Sequence, residues 1–173
     1  MEFALKSFSI NIQGLVCADF GSSTGGFVDC LLQHGTGKVY AVETGYGLLD
    51  WKLRNDARVV VMEKTNAVYT ELAEKVDLIT IDAGWTKQSI ILPSAYRNLK
   101  ESGWVISLVK LSFEVDKKGV QIKKSEDIAG VEKLLEKINI DVANSGFTVV
   151  DSVKSPILGA KCKNIEYLYL MKK

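Results

Sequence analysis

Polar and apolar positions alternate along this chain in short blocks. Apolar, β-branched runs recur at Leu15 to Phe20, Val39 to Val42, Val59 to Met62, Leu78 to Ile81, Val105 to Val109, Thr148 to Val150 and Ile165 to Met171. Most of them lack the strict alternation of a half-exposed strand, so they predict strands with two buried faces. Helical spacing lies between. It is clearest from Asp127 to Asn144, where Ile128, Val131, Leu134, Leu135, Ile138 and Val142 share a face opposite lysines and glutamates, and Ser145-Gly146 supplies a stop. Strand and helix alternate from Leu15 to about Lys110, the pattern of a parallel sheet covered by helices on both faces. Only the turn-rich stretch SPILGAKCKN separates the last two runs, so these are expected to pair antiparallel at one side of the sheet. The expectation is an α/β protein with a seven-stranded, mostly parallel sheet and an antiparallel last strand. No repeat, low-complexity tract or linker interrupts it, and Asp116 to Lys124 is the expected mobile loop.

Composition narrows the class. With 173 residues the chain is expected to form one domain over 1–173, long enough for a full core and short for two. Its 47% apolar and 25% charged residues are ordinary for a soluble globular protein, and a net charge of +1 supplies no overall field that would draw it to nucleic acid. The apolar runs are far shorter than a bilayer requires, and MEFALKSFSINIQ lacks the basic start and apolar core of a signal peptide, so no membrane partner and a cytoplasmic location are expected. Cys17, Cys30 and Cys162 are too scattered for a disulfide framework or a zinc knuckle, and are expected to be reduced and buried. The single histidine, His34 beside Gly35, reads as a helix-end or solvated residue, and no metal site is expected.

The chemistry concentrates where the first strand ends. ADFGSSTGGFVDCLL, residues 18–32, places an acidic residue, three glycines and three small hydroxyl residues between a strand and a helix. In an open parallel sheet, ligands sit beyond the carboxyl ends of the strands where the strand order reverses. Nicotinamide binding favours G-x-G-x-x-G, but Ser23 stands at the second glycine position, and the Gly-Lys-Ser/Thr of a phosphate-cradling loop is absent. S-adenosylmethionine fits better, because it has no pyrophosphate to place on the helix and needs room for an amino-acid tail. Glu43, 24 residues after Asp19 at the end of the second strand, is positioned to accept hydrogen bonds from ribose hydroxyls. A tight turn with no ligand remains the competing reading of the corner.

The strings DFGSSTGGFVDCLLQHG and VYAVETGYGLLDWKLRNDARVVVMEKTNA, with LVKLSFE and NIEYLYL following in order, resemble the TlyA, or haemolysin A, branch of the FtsJ-like ribose 2'-O-methyltransferases over essentially the whole chain. That resemblance implies a Rossmann-like methyltransferase fold, S-adenosylmethionine as donor and ribosomal RNA or a ribosomal subunit as acceptor. It also implies a Lys-Asp-Lys-Glu catalytic set. The Asp falls on Asp82, the second Lys on Lys110 and the Glu on Glu166. The implied cofactor set is Asp19, Gly21, Ser22, Ser23, Thr24, Gly25, Gly26, Phe27, Glu43, Thr44, Thr65, Asn66 and Asp82. The first lysine of the set aligns just before Met1, on a helix of which residues 1–13 are the expected remnant. Lys6 lies more than a helical turn later, a displacement above about 5 Å, and is not assigned the role. The S4-like domain that precedes this branch is also missing, so the chain is expected to be a truncated piece or a protein that has lost both parts. Asp82-Ala83-Gly84-Trp85 and Lys110-Leu111-Ser112-Phe113-Glu114 depart from the branch's DVSF and KPQFE phrases.

The residue types suit the reaction. A ribose hydroxyl is a poor acid, so its oxygen must be held in line and its proton drawn off. Lys110 could take the proton or steady the alkoxide, with Asp82 and Glu166 orienting it. Lys52, Arg54 and Arg58 near Trp51, and Lys117, Lys118, Lys123 and Lys124, are candidate phosphate contacts; Trp85 and Phe113 are candidate base-stacking residues. Two rival expectations are a non-catalytic module that binds cofactor or RNA, and a secreted pore-forming protein.

Overall fold

The computed structural model describes residues 1–84, 86–115, 128–157 and 165–173. Seven strands form one sheet: β1 (Val16–Phe20), β2 (Lys38–Val42), β3 (Val59–Met62), β4 (Val76–Ile81), β5 (Leu99–Lys110), β6 (Thr148–Lys154) and β7 (Glu166–Lys172). Their order is β3-β2-β1-β4-β5-β7-β6, with β1 to β5 parallel and β7 antiparallel to both β5 and β6. The chain order reverses between β1 and β4, which creates the crevice such sheets use for ligands.

Among the described residues six helices flank the sheet: α1 (Glu2–Ser7), α2 (Gly26–Gln33), α3 (Trp51–Arg54), α4 (Gln88–Asn98), α5 (Leu111–Glu114) and α6 (Ile128–Asn144). The two faces carry separate cores. On one, Ile91, Leu92 and Ala95 of α4 and Val131, Leu134, Ile138 and Val142 of α6 pack on Ala18, Phe20, Ile79 and Ile81. On the other, Ala4 and Leu5 of α1, Val28 and Leu31 of α2 and Leu53 of α3 pack on Cys17, Val39, Leu78 and Ile106. The period of two in β1 explains the split, since Cys17 and Ala18 must face opposite ways. The helical period of α6 sends Val131, Leu134, Ile138 and Val142 inward, whereas Ile128, expected on the same stripe, is 71% exposed on the first turn; Gly146, at φ +87°, turns the chain into β6.

Three expectations need correction. Strand and helix do not alternate throughout, because residues 63–75 join β3 to β4 through turns with no helix. The run Val105 to Val109 lies in the carboxyl-terminal half of a strand more than twice as long; β5 begins at Leu99, and its pairing with β4 shifts register between Val76 and Leu78. The cysteines are not uniformly buried: Cys17 is buried and Cys30 half-buried, both as free thiols, while Cys162 lies outside the described residues. β3 and β6 lack two buried faces because they are the sheet edges. Asp116 to Lys124 lies outside the described residues.

Candidate active site

The carboxyl ends of β1, β2 and β4 meet at the glycine corner. Asp19 is buried beside Thr80, whose hydroxyl donates to its Oδ1 at 2.7 Å. Burial pushes its carboxyl up to about 7, against the lowering effect of the Thr80 bond. The amides of Gly21 and Ser22 both donate to the Val42 carbonyl, at 2.9 and 3.1 Å, so the turn is locked onto β2. Gly21 is required: at φ +91° a Cβ would lie 2.6 Å from the Asp82 carbonyl oxygen. Gly25, at φ +101°, starts α2 without a side-chain cap, and its would-be Cβ meets Leu53 and Leu49.

Glu43 is the hub of this corner. Its Oε2 accepts the Ser23 amide at 2.9 Å, and its Oε1 accepts the Gly45 amide at 2.8 Å and the Thr44 hydroxyl at 3.0 Å. Burial raises its carboxyl, but these bonds outweigh it and hold the group below its ordinary range. The Thr65 amide donates to the Glu43 carbonyl, which brings the β3 turn alongside, and the Asn66 Oδ1 accepts the Val68 amide within its own turn. The Thr24 carbonyl accepts the Asp50 amide, and Phe27 is half-buried on the first turn of α2.

Two observations test the corner for a ligand. The Ser22 hydroxyl is buried with no hydrogen-bond partner, a costly arrangement in a finished protein interior. A Cβ at Gly26 would meet no protein atom within 4 Å, and its φ is not in the left-handed region, so neither protein packing nor backbone conformation demands glycine there. A nucleoside approaching the first turn of α2 accounts for both. Backbone N–H groups at a helix start also suit the carboxylate of an amino-acid tail.

Beside the corner, the rim collects the three other candidates. Asp82 follows β4, its amide donating to the Phe20 carbonyl. Lys110 ends β5 and its Nζ donates to Asp82 Oδ1. Because β7 is antiparallel, its first residue lies at the carboxyl end of β5, and Glu166 is the register partner of Lys110. Burial pushes the Glu166 carboxyl up, Lys110 pulls it down and Asp82 pushes it up, leaving it above its ordinary range. One rim thus holds an acid, a lysine and a second acid from three adjacent strands. Lys6 is elsewhere, paired at 2.7 Å with Glu2, which lies near Cys30 of α2 and His34 just beyond its end.

One residue escaped the sequence reading. Glu114, on α5 after Lys110, is 1% exposed; its Oε1 accepts the Gln88 amide at the start of α4 at 2.9 Å, and its Oε2 has no partner. Burial drives its carboxyl upward, more than the Gln88 bond and Lys137 lower it. Gln88 in turn accepts the Ser107 hydroxyl of β5 at 2.9 Å. The candidate phosphate contacts fare unevenly: Arg54 pairs with Glu63 and Arg58 with Asp56, whereas Lys52 is exposed. Phe113 is half-buried; Trp85, Lys117, Lys118, Lys123 and Lys124 lie outside the described residues. Among the described residues, no helix is long and apolar enough to cross a membrane.

The chain is similar to known proteins over most of its length. The chain is 39% identical over 176 residues to Hemolysin A of Brachyspira hyodysenteriae, covering 97% of this chain and 72% of that protein. It is 41% identical over 117 residues to the 16S/23S rRNA (cytidine-2'-O)-methyltransferase TlyA of Mycobacterium tuberculosis, covering 66% of this chain and 44% of that protein. A solved hemolysin-type structure from Streptococcus thermophilus superposes with a TM-score of 0.92 at 35% identity, over 99% of this chain and 64% of that one. The chain therefore spans between under half and about three quarters of these relatives. The family description FtsJ-like methyltransferase matches residues 1–173, and the chain belongs to that family.

Proposed function

We propose that the chain uses S-adenosylmethionine to methylate a ribose 2'-hydroxyl of ribosomal RNA, with 1–173 as a single methyltransferase domain. The observation that carries this reading is the convergence of Asp82, Lys110 and Glu166 on the rim beside the glycine corner. The relative from Mycobacterium tuberculosis, named for cytidine 2'-O-methylation of ribosomal RNA, supports the choice of acceptor.

Asp19, Gly21, Ser22, Ser23, Thr24, Gly25, Gly26 and Phe27 form one wall of the donor site, and Glu43, Thr44, Thr65 and Asn66 form the other. Glu43 receives the ribose hydroxyls, exchanging its amide partners for them. The Ser22 hydroxyl gains the partner it lacks in the protein alone. When bound, the donor supplies a methyl group already electrophilic enough to need no activation. Asp82 orients Lys110, whose remaining N–H bonds hold the acceptor oxygen and offset its developing charge. Glu166, whose carboxyl burial raises above its ordinary range, accepts the hydroxyl proton.

A second reading is donor binding without transfer, for which the glycine corner suffices by itself, with its unpartnered Ser22 hydroxyl and the open space at Gly26. Incubation of the protein with methyl-labelled S-adenosylmethionine and ribosomal subunits separates the two. Label resistant to base hydrolysis at a 2'-O-methyl nucleotide, lost in Lys110→Met, supports catalysis. Donor binding by calorimetry with no transfer supports the second reading.

A further inference from the structure

We infer that the loop between β2 and α3 is a stacking platform for unpaired bases of the acceptor RNA, with Tyr46 and Trp51 as its two faces; this rests on the proposed RNA methylation. Both rings lie mostly in solvent, Tyr46 72% and Trp51 75% exposed, and Leu48 between them is 46% exposed. Solvated aromatic rings on a loose loop would need no explanation, but this loop is anchored at every turn. Glu63 accepts the Gly47 amide at 2.7 Å and pairs with Arg54. Asp50 accepts the Lys52 amide at 2.8 Å, and its own amide donates to the Thr24 carbonyl of the glycine corner. Leu49 and Leu53 are buried against Gly25. The string GYGLLDW thus buries its anchors and presents its rings from a rigid base, which reduces the ordering cost of binding.

The charge around the rings favours a polyanion. Of the nearby acidic groups, Asp50 is exposed but accepts the Lys52 amide at the start of α3, and Glu63, just after β3, pairs with Arg54 and has a side chain only 9% exposed. The lysines face outward: Lys52 beside Trp51 is exposed, and Lys64 holds its Nζ 4.6 Å from the Tyr46 ring centroid. Lys64 reaches that place from a left-handed backbone, φ +52°, with its amide donating to the Gly45 carbonyl. Exposed ring faces accept any base, and flanking ammonium groups accept the phosphates between bases. The loop begins at Glu43, at the β2 end of the donor corner, so bases stacked there would lie three strand spacings, about 14 Å, from Lys110 at the end of β5 and belong to RNA beyond the acceptor nucleotide.

The test uses the full chain, a fluorescein-labelled single-stranded RNA oligonucleotide and anisotropy, with donor affinity measured in parallel by calorimetry. Tyr46→Ala and Trp51→Ala should each weaken RNA binding by roughly tenfold, within the range of single base-stacking contacts. Tyr46→Phe and Trp51→Phe should retain it, and thermal melting should show all four variants folded. Donor affinity should be unchanged. Unchanged RNA affinity in the double alanine variant overturns the inference, as does a loss of donor affinity, which would make the rings a cover for the donor. Failure of the oligonucleotide to bind the unaltered chain also overturns it. Failure of the methylation reading would appear separately, as absence of label transfer to ribosomal subunits by the unaltered chain.

Discussion

Gly21 and Gly26 are five residues apart in one corner, yet alanine at the two positions should act in opposite directions on stability. At Gly21 a side chain meets both a left-handed backbone, φ +91°, and the Asp82 carbonyl oxygen at 2.6 Å. The backbone conformation costs about 1–2 kcal/mol for an L-residue, and forcing backbone apart adds about 1–3 kcal/mol, so Gly21→Ala should lose about 2–5 kcal/mol. At Gly26, on the first turn of α2, no protein atom lies within 4 Å of the new methyl. Helix propensity then favours alanine, by up to about 1 kcal/mol. That same methyl, however, projects into the space assigned to the donor, and overpacking of about 1–3 kcal/mol corresponds to roughly 5- to 150-fold weaker binding. Urea unfolding gives the stabilities and calorimetry with S-adenosylmethionine gives the affinity. A Gly26→Ala protein that binds the donor as tightly as the parent would refute the reasoning, because nothing else in the structure calls for glycine there.

Three further outcomes are expected. Asp19 holds its proton more tightly when folded, with its carboxyl at about 7 against an ordinary 3.8, so the stability linked to it is full below pH 4 and is lost as pH rises through 7. Asp19→Asn, which still accepts the Thr80 hydroxyl, should therefore be more stable than the parent above pH 7, by on the order of 4 kcal/mol, and equal to it near pH 4; equal urea midpoints at pH 8 would contradict this. Lys110→Met should lower methyl transfer by about 10²- to 10⁴-fold while keeping donor affinity. It should also raise the Glu166 carboxyl further, since Lys110 is the group that lowers it, and carboxyl NMR titration would show a fall instead if the pairing were wrong. Glu114→Ala should cost about 1–2 kcal/mol through loss of the α4 cap, with Glu114→Gln milder because its carbonyl can still accept the Gln88 amide; equal losses in urea melts would remove the capping role.

The elements with sustained periods were legible from residues alone. The stripe of α6 from Val131 to Val142 and the apolar runs of β1, β2 and β4 read correctly because each spans enough positions for its period to show, while Ile128, at the exposed start of the helix, does not share the stripe. β5 was read short because its first half carries Lys100, Glu101 and Ser102, exposed residues that mask a strand continuing under them. α3 covers four residues, less than two turns, so its period could not register; its role as an anchor for the aromatic loop emerges only from Leu53 packing on Gly25. The rim was placed through resemblance for Glu166, whose position in an alternating strand reads equally well as solvated. Its proximity to Lys110 depends on β7 running antiparallel to β5, a pairing between residues 56 positions apart. Glu114 could not be found at all, since a glutamate in LSFE looks solvent-facing until α4 brings the Gln88 amide onto it from 26 residues away.

The most direct test of the account is a crystal structure of the chain with S-adenosylmethionine bound. The ribose hydroxyls are expected on Glu43, with a hydrogen bond to the Ser22 hydroxyl and the methyl facing the space beside Lys110 where the acceptor oxygen would be held. Donor lodged away from this corner, with Glu43 still closed on the amides of Ser23 and Gly45, would contradict it.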